Sequence, residues 1–315
     1  MSFEEADPKR IEWARRRAAL EVIDAKRMPD GRRHSRLWKP FKILLAVFGL
    51  FLRCVGLYRR GLRNALDIRL VEHEISFPGL PDAFDGYRVL HLTDLHLDGH
   101  PALPGRIADR VAGVSCDLCV LTGDYRFGIH GASQEVTDGF ARLLPEIEAN
   151  DGIMAVLGNH DAAEMVAMLE NNAVRVLVNQ TVTLTRGLDA IHITGADDPH
   201  YYFTEEATRA LDSAPDGFRI ALVHTPELSN QAADAGVDLY LTGHTHGGHV
   251  CLPGGIPIIT HASGYRRYAS GLWRKRGMTG YTSRGAGFSG LPVRFNCPPE
   301  VTLFTLRGGR PAAIS

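Results

Sequence analysis

Tyr87-Arg-Val-Leu-His-Leu-Thr-Asp94-Leu-His96 sets the reading of this chain. A run rich in apolar and β-branched residues ends in a carboxylate and an imidazole, so it reads as a strand whose C-terminal tip presents metal-binding groups. The same design recurs downstream. Leu118-Cys-Val-Leu-Thr leads to Gly123-Asp124, and Ile153-Met-Ala-Val-Leu leads to Gly158-Asn159-His160-Asp161. Arg219-Ile-Ala-Leu-Val delivers His224, and Asp238-Leu-Tyr-Leu-Thr delivers Gly243-His244-Thr245-His246. A single such histidine is more often a surface or core imidazole. Five clusters in series, each at a strand end and each supplying carboxylate, carboxamide or imidazole, are the ligand set of a two-metal hydrolytic centre.

Between these strands the pattern predicts helices over 104–114 and 134–149, and strand–helix–strand alternation makes an α/β domain with its site along one sheet edge. Ile68-Arg-Leu-Val-Glu-His-Glu-Ile-Ser-Phe77 alternates like a half-buried strand before the turn at Pro78 and Pro81. In the second half, Val182-Thr-Leu and Ile191-His-Ile-Thr read as strands and 204–211 as a helix. The tail strands Tyr281-Thr-Ser-Arg and Val301-Thr-Leu-Phe-Thr-Leu are expected to close a second sheet.

The order and residue types of the clusters resemble the calcineurin-like metallophosphoesterase superfamily. That resemblance implies a four-layer α-β-β-α sandwich, with two mixed sheets face to face, helices outside and metals at one end. Carried over motif by motif, it implies that Asp94, His96 and His246 hold one divalent cation and Asn159, His224 and His244 the other, with Asp124 shared between them. Asn159 would ligate without adding negative charge beside an anionic substrate. His160 would lie beside the substrate phosphate as a catalytic group, not a ligand, and Asp161 would hold its imidazole or cap a helix beginning at Ala162. The glycines before the ligands suit tight turns. Mixed nitrogen and oxygen shells accept Mn, Zn, Fe or Mg, with Mn favoured.

Gly243-His-Thr-His-Gly-Gly-His-Val-Cys-Leu-Pro, Tyr281-Thr-Ser-Arg-Gly-Ala-Gly, Pro292-Val-Arg-Phe and Pro298-Pro-Glu are similar to the membrane-associated bacterial phosphodiesterase branch, as is Asp85-Gly-Tyr-Arg-Val. Within that branch the likeness is to UDP-2,3-diacylglucosamine pyrophosphatases. One departure is His249, where the branch usually has Gln; this bears on specificity, not on the metals. Gly285-Ala-Gly-Phe-Ser-Gly290 matches a dinucleotide fingerprint, but Leu-Pro-Val-Arg follows instead of a helix, so it reads as a glycine-rich loop. His73, His91, His100, His130, His192, His200 and His261 are assigned no role.

With 315 residues and a net charge of −1, the chain can bury a large core and is not a whole-protein nucleic-acid binder. Its basic residues concentrate before residue 70. Residues 1–66 read as a basic helical leader and 67–315 as the catalytic domain. A charged helix is expected around 11–28 and a polar break at Pro29-Asp-Gly-Arg. An apolar segment at 43–58, interrupted by Arg53, follows. That segment is short of the about 20 residues of a span and lacks a cleavage site. A signal peptide and a twin-arginine signal at Arg15-Arg16-Arg17 or Arg32-Arg33 are therefore disfavoured. Residues 32–60, with Trp38, Phe41, Phe48 and Phe51 inserting, are expected to meet an anionic membrane surface; the alternatives are a helix packed on the catalytic domain or a partner, and a single span. The five cysteines read as reduced. Cys116 and Cys119 are expected on opposite faces of a strand, too divergent to share a metal or a disulfide.

The expected function is hydrolysis of a phosphodiester or pyrophosphate bond by a metal-activated hydroxide. The substrate would be membrane-presented, such as UDP-2,3-diacylglucosamine or a phospholipid, and the enzyme peripheral or monotopic at the cytoplasmic face of the bacterial inner membrane. A soluble-substrate phosphodiesterase and a non-catalytic scaffold are the alternatives; the second requires lost ligands, and every expected ligand is present.

Overall fold

A computed structural model describes residues 8–23, 26–27, 33–34, 38–128, 134–258 and 266–309, with side chains described outside 22–42. His130, His261, the Pro29 break and the side chains of Trp38, Phe41 and the basic run 32–42 lie outside what is described.

Two six-stranded sheets form among the described residues. The first comprises β1 (Arg69–Phe77), β2 (Arg88–Leu92), β3 (Leu118–Leu121), β4 (Ile153–Ala155), β5 (Val174–Val176) and β12 (Glu300–Gly308). Its order is β1-β12-β2-β3-β4-β5. The second comprises β6 (Gln180–Arg186), β7 (Asp189–Gly195), β8 (Phe218–Leu222), β9 (Leu239–Thr242), β10 (Gly271–Lys275) and β11 (Met278–Thr282), in the order β6-β7-β8-β9-β11-β10. Strands β2 to β5 run parallel, as do β7, β8, β9 and β11.

Side-chain alternation explains why the sheets stack. On β3, Leu118 and Val120 enter a core shared with Ile220 and Leu222 of β8 and Leu239 and Leu241 of β9. Cys119 and Leu121 point the other way, against Ile107, Val111 and Phe140. Those residues belong to α4 (Leu103–Val111) and α5 (Gln134–Leu143), and α6 (Met165–Asn171) covers the same face. Outside the second sheet, Ala221 and Tyr240 meet Leu211 of α7 (Glu205–Asp212) and Ala232 of α8 (Ser229–Asp234). A strand buried on both faces must be apolar at every position, as these are. The result is the four-layer α-β-β-α sandwich, with three stacked cores.

Two expectations change. The tail strand β12 does not close the second sheet: it inserts in the first, parallel to β1 and antiparallel to β2. Cys116 and Cys119 face the same outer core, because Asp117 separates Cys116 from β3 and breaks the strand register between them. All five cysteines are free thiols, and burial pushes Cys116 up to about 11. Helical boundaries also shorten. The second predicted helix ends at Leu143, before Pro145 in a short 3-10 turn.

The leader rests on this sandwich. Helix α1 (Pro8–Ile23) sends Trp13 and Arg17 toward Asp197. Helix α2 (Trp38–Cys54) lays Gly49 beside Leu291 and Leu45 beside Gly290. Helix α3 (Tyr58–Ala65) brings Gly61 so close to Val293 and Phe295 that a Cβ would sit 2.7 Å from Val293. No helix among the described residues is long and apolar enough to cross a membrane.

His91 points between the sheets from β2, stacked on Phe304 at 6.4 Å, with Nε2 2.7 Å from Thr122 Oγ1. Burial pushes it down to about 3 from an ordinary 6.5. The unfolded chain therefore takes up a proton below 6.5 that the folded protein refuses until about pH 3. This makes stability complete above that window and progressively lost as pH falls through it. Urea unfolding of His91→Leu is expected to show a stability loss from pH 7.5 to 4.5 that is smaller than wild type by about 2–3 kcal/mol, at 1.36 kcal/mol per unit. Parallel pH slopes in the two proteins would remove His91 as the cause.

Candidate metal centre

The C-terminal ends of β2, β3 and β4 in one sheet and of β8 and β9 in the other open at the same edge of the sandwich. The loops after them carry Asp94, His96, Asp124, Asn159, His224, His244 and His246, all buried. Two donor groups result. Asp94, His96 and His246 bring one ligand atom each within 4.8 Å of one another, and Asp124, His224 and His244 do the same. Asn159 joins the second: its Oδ1 lies 3.1 Å from His224 Nε2 and 2.8 Å from His244 Nδ1. Asp124 reaches toward both groups, with Oδ2 3.3 Å from His224 Nε2 and 4.0 Å from His96 Nε2.

Backbone conformation aims these side chains. Asp94, His96, Asp124, His244 and His246 all have positive φ, between 42° and 71°. Left-handed backbone costs a non-glycine residue about 1–3 kcal/mol, so its concentration here marks loops held against their preference. The preceding glycines serve a different purpose from the one expected. Only Gly123 among the three has positive φ. At Gly158 a Cβ would sit 2.2 Å from Asp124 Oδ1, and at Gly243 it would sit 2.2 Å from Asp94 Oδ2. These glycines let one loop's backbone approach the next loop's carboxylate. The Gly285–Gly290 loop does likewise, since a Cβ on Gly285 would sit 3.1 Å from Asp94 Oδ2.

Hydrogen bonds orient the imidazoles. His96 Nδ1 lies 2.7 Å from Arg126 O, His224 Nδ1 2.8 Å from Thr122 O and His160 Nδ1 2.8 Å from Phe127 O. A carbonyl can only accept, so Nδ1 carries the proton and Nε2 faces the site. Asp94 accepts from His244 N at 3.1 and 3.0 Å and from Thr93 Oγ1 at 3.0 Å.

The electrostatics suit cations. Burial, reinforced by Asp124, pushes Asp94 up to about 7. Burial opposes the charge on Asp124 as well, yet His224 and His160 hold it well below the carboxylate range. Burial opposes charge on His224, but Asp124 and Asp94 pull it up to about 10. Two buried carboxylates thus demand positive charge, which His224 can answer with a proton and divalent cations answer more completely. Oxygen and imidazole donors of this mixture fit such ions.

The family model described as "Calcineurin-like phosphoesterase" matches residues 87–248, half of the chain and a span that contains every residue of the two donor groups. The metallophosphoesterase YkuE of Bacillus subtilis (strain 168) is 32% identical over 76% of this chain and 86% of its own length. The chain belongs to the calcineurin-like phosphoesterase family. The phosphodiesterase YaeI of Escherichia coli (strain K12) is 29% identical over 75% of this chain and 87% of its own. Among solved structures, the phosphopantetheinyl hydrolase PptH of Mycobacterium tuberculosis aligns at a TM-score of 0.40 and 12% identity, covering 63% of this chain and 89% of that one. This phosphoesterase is therefore a metal-dependent phosphoester hydrolase with two candidate metal sites.

Several residues of the phosphoesterase site were not legible in its motifs. Asp161 neither caps a helix, since α6 begins at Met165, nor holds His160. Its carboxylate accepts from the backbone N–H groups of Asp124, Tyr125 and Gly158, each at 2.8 Å. His200, assigned no role from sequence, packs against His244 with ring centroids 4.5 Å apart, and its Nδ1 lies 2.7 Å from Glu227 Oε1. The signal for it existed: Asp197-Asp198-Pro199-His200 follows β7 as the other clusters follow their strands. His249 stacks on His246 at 4.4 Å. Arg294 is fully buried and donates to the carbonyls of Arg284 at 2.7 Å, Gly287 at 2.5 Å and His246 at 3.3 Å.

Proposed function

We propose that the protein hydrolyses a phosphodiester or pyrophosphate bond of a lipid-linked substrate presented by an anionic membrane surface, such as UDP-2,3-diacylglucosamine or a phospholipid. It would act as a peripheral or monotopic enzyme at the cytoplasmic face of the bacterial inner membrane. One observation carries this reading. Ile43, Leu44, Val47, Leu50 and Phe51 form one face of α2 and are 55–65% exposed, while the opposite face rests on Gly290 and Leu291. Those two residues end the glycine loop whose Gly285 and Gly287 press on Asp94. An apolar face fixed to the loop that borders the candidate metal site would bring that site to a lipid headgroup. Exposed Arg53, Arg59, Arg60 and Arg63 flank it and suit anionic lipid.

Asp94, His96 and His246 would hold one cation, and Asn159, His224 and His244 the other, with Asp124 serving both. When bound, the ions supply Lewis acidity toward phosphoryl oxygen and lower the pKa of water; Mn is the first to test among Mn, Zn, Fe and Mg. The chain supplies the rest. His160, with Nε2 3.9 Å from Asp124 Oδ2 and Nδ1 pinned to Phe127 O, is placed to give a proton to the departing oxygen when protonated. Asn159 keeps its half-site less negative than a carboxylate would.

The test is the full chain carrying Leu50→Glu and Phe51→Glu together. Wild type is expected to float with phosphatidylglycerol vesicles and the variant to remain free. Activity on bis(p-nitrophenyl) phosphate is expected to be unchanged, while turnover of a vesicle-embedded, nucleotide-linked lipid falls at least tenfold. Equal turnover of that lipid by both proteins would favour a soluble substrate and end the membrane reading.

A further inference from the structure

Arg17 belongs to the basic leader, yet its side chain is 1% exposed. A guanidinium is retained in an interior only where its N–H groups find acceptors. Here Nη2 donates to Gly158 O and to Asp161 O, each at 2.7 Å, and Nε donates to Asp161 O at 3.3 Å. Nη1 pairs with the Asp197 carboxylate, and the ring of Tyr202 covers the guanidinium at 3.8 Å. Gly158 and Asp161 bracket Asn159 and His160. That segment precedes α6 and belongs to no strand, so its carbonyls have no ladder partner.

Helix α1 makes further bonds to the same region. Trp13 Nε1 donates to Asp197 Oδ2 at 2.5 Å, and Glu21 Oε1 accepts from Ala163 N at 2.9 Å. Asp161 then carries the connection onward. Arg17 grips its main-chain carbonyl, and its side chain grips the N–H of Asp124 at 2.8 Å. A continuous path runs from the leader through the Asn159–His160 loop to the backbone of Asp124.

We propose that Arg17 is a positioning residue of the second half-site, so that α1 is part of the catalytic unit and not a detachable leader. The proposal rests on the reading of Asp124, Asn159, His224 and His244 as that half-site. Without the guanidinium, the Asp161 carbonyl loses both of its Arg17 N–H donors, the Gly158 carbonyl keeps only the turn bond from Asp161 N at 3.2 Å, and the Asp197 carboxylate keeps Trp13 Nε1 and Asp198 N but loses its charged partner. The loop relaxes, and Asn159 Oδ1 leaves its place beside His224 and His244.

The experiment uses the full chain as Arg17→Ala and Arg17→Lys, with Arg16→Ala as control; Arg16 lies on the same helix and makes surface ion pairs with Glu12 and Glu206. Manganese titration of the chelator-treated proteins by calorimetry, with electron paramagnetic resonance to detect spin-coupled pairs, reads each half-site. Wild type and Arg16→Ala are expected to bind two ions and show the coupled signal. Arg17→Ala is expected to keep the first ion at wild-type affinity, bind the second at least tenfold more weakly and lose the coupled signal. Its kcat falls more than its KM rises, and millimolar guanidinium restores part of both readouts. Arg17→Lys should fall between, because a compact ammonium keeps the charge but lacks the planar fork that spans the two carbonyls and the carboxylate. Two wild-type affinities in Arg17→Ala would overturn the proposal, as would equal weakening of both ions. Should Arg17→Ala fail to fold, the same two results in Arg17→Lys decide it. A wild type that binds fewer than two ions would instead sink the metal-site reading.

Discussion

Asp124→Asn is expected to abolish tight uptake of both cations and to lower kcat/KM at least about 1,000-fold, or about 4 kcal/mol of transition-state stabilisation. The size follows from position. Asp124 Oδ2 lies 3.3 Å from His224 Nε2, 3.9 Å from His160 Nε2 and 4.0 Å from His96 Nε2, so one carboxylate faces both donor groups and the His160 imidazole. Its other oxygen accepts from His160 N at 2.9 Å. Asparagine keeps the shape and that hydrogen bond but removes the charge. Metal analysis and bis(p-nitrophenyl) phosphate turnover check the prediction together. Two ions retained at wild-type affinity, with activity within tenfold, would show that the shared ligand has been misassigned.

His160→Gln is expected to separate chemistry from metal binding. Its ring is fixed by Phe127 O at 2.8 Å and its side chain is 11% exposed, while the candidate ligands are more deeply buried. Loss of a proton donor lowers kcat by about 10²–10⁴-fold for a leaving group that needs protonation. Both ions should remain. The loss should be much smaller for a p-nitrophenyl ester, whose leaving group departs readily as an anion, than for an alkyl ester. An equal loss on both esters would remove His160 as the acid.

Arg17 changes how deletion of the leader would be interpreted. Removing residues before the apolar segment would take the Arg17 guanidinium from the carbonyls of Gly158 and Asp161, and is expected to lower activity on every substrate, lipid or soluble. Charge substitutions on the exposed face of α2 avoid that confusion, since Leu50 and Phe51 are 61% and 56% exposed.

Much of this was legible because a strand buried on both faces must be apolar throughout and because ligands must stand where such a strand ends. Leu118-Cys-Val-Leu121 followed by Asp124 shows both constraints in seven residues. They marked the ligand-bearing strands, the α/β class and the candidate ligands, but not the strands Val174–Val176 and Gly271–Lys275, which carry no ligand at their tips. Strand order was not among them. β12 alternates like any strand, and only hydrogen bonding places it between β1 and β2.

Asp94, Asp124 and the histidine clusters were thus written in the chain itself, since a short-range rule of burial and tip chemistry acts on consecutive residues. Folding alone decided that Asp161 clamps three backbone N–H groups, that Gly158 and Gly243 make room for neighbouring carboxylates, and that Arg17 enters the wall of the site. Each of these depends on which loops meet across the sandwich edge. Arg17 and Gly158 stand 141 positions apart, and no periodicity in either segment encodes the carbonyl that a distant guanidinium will find.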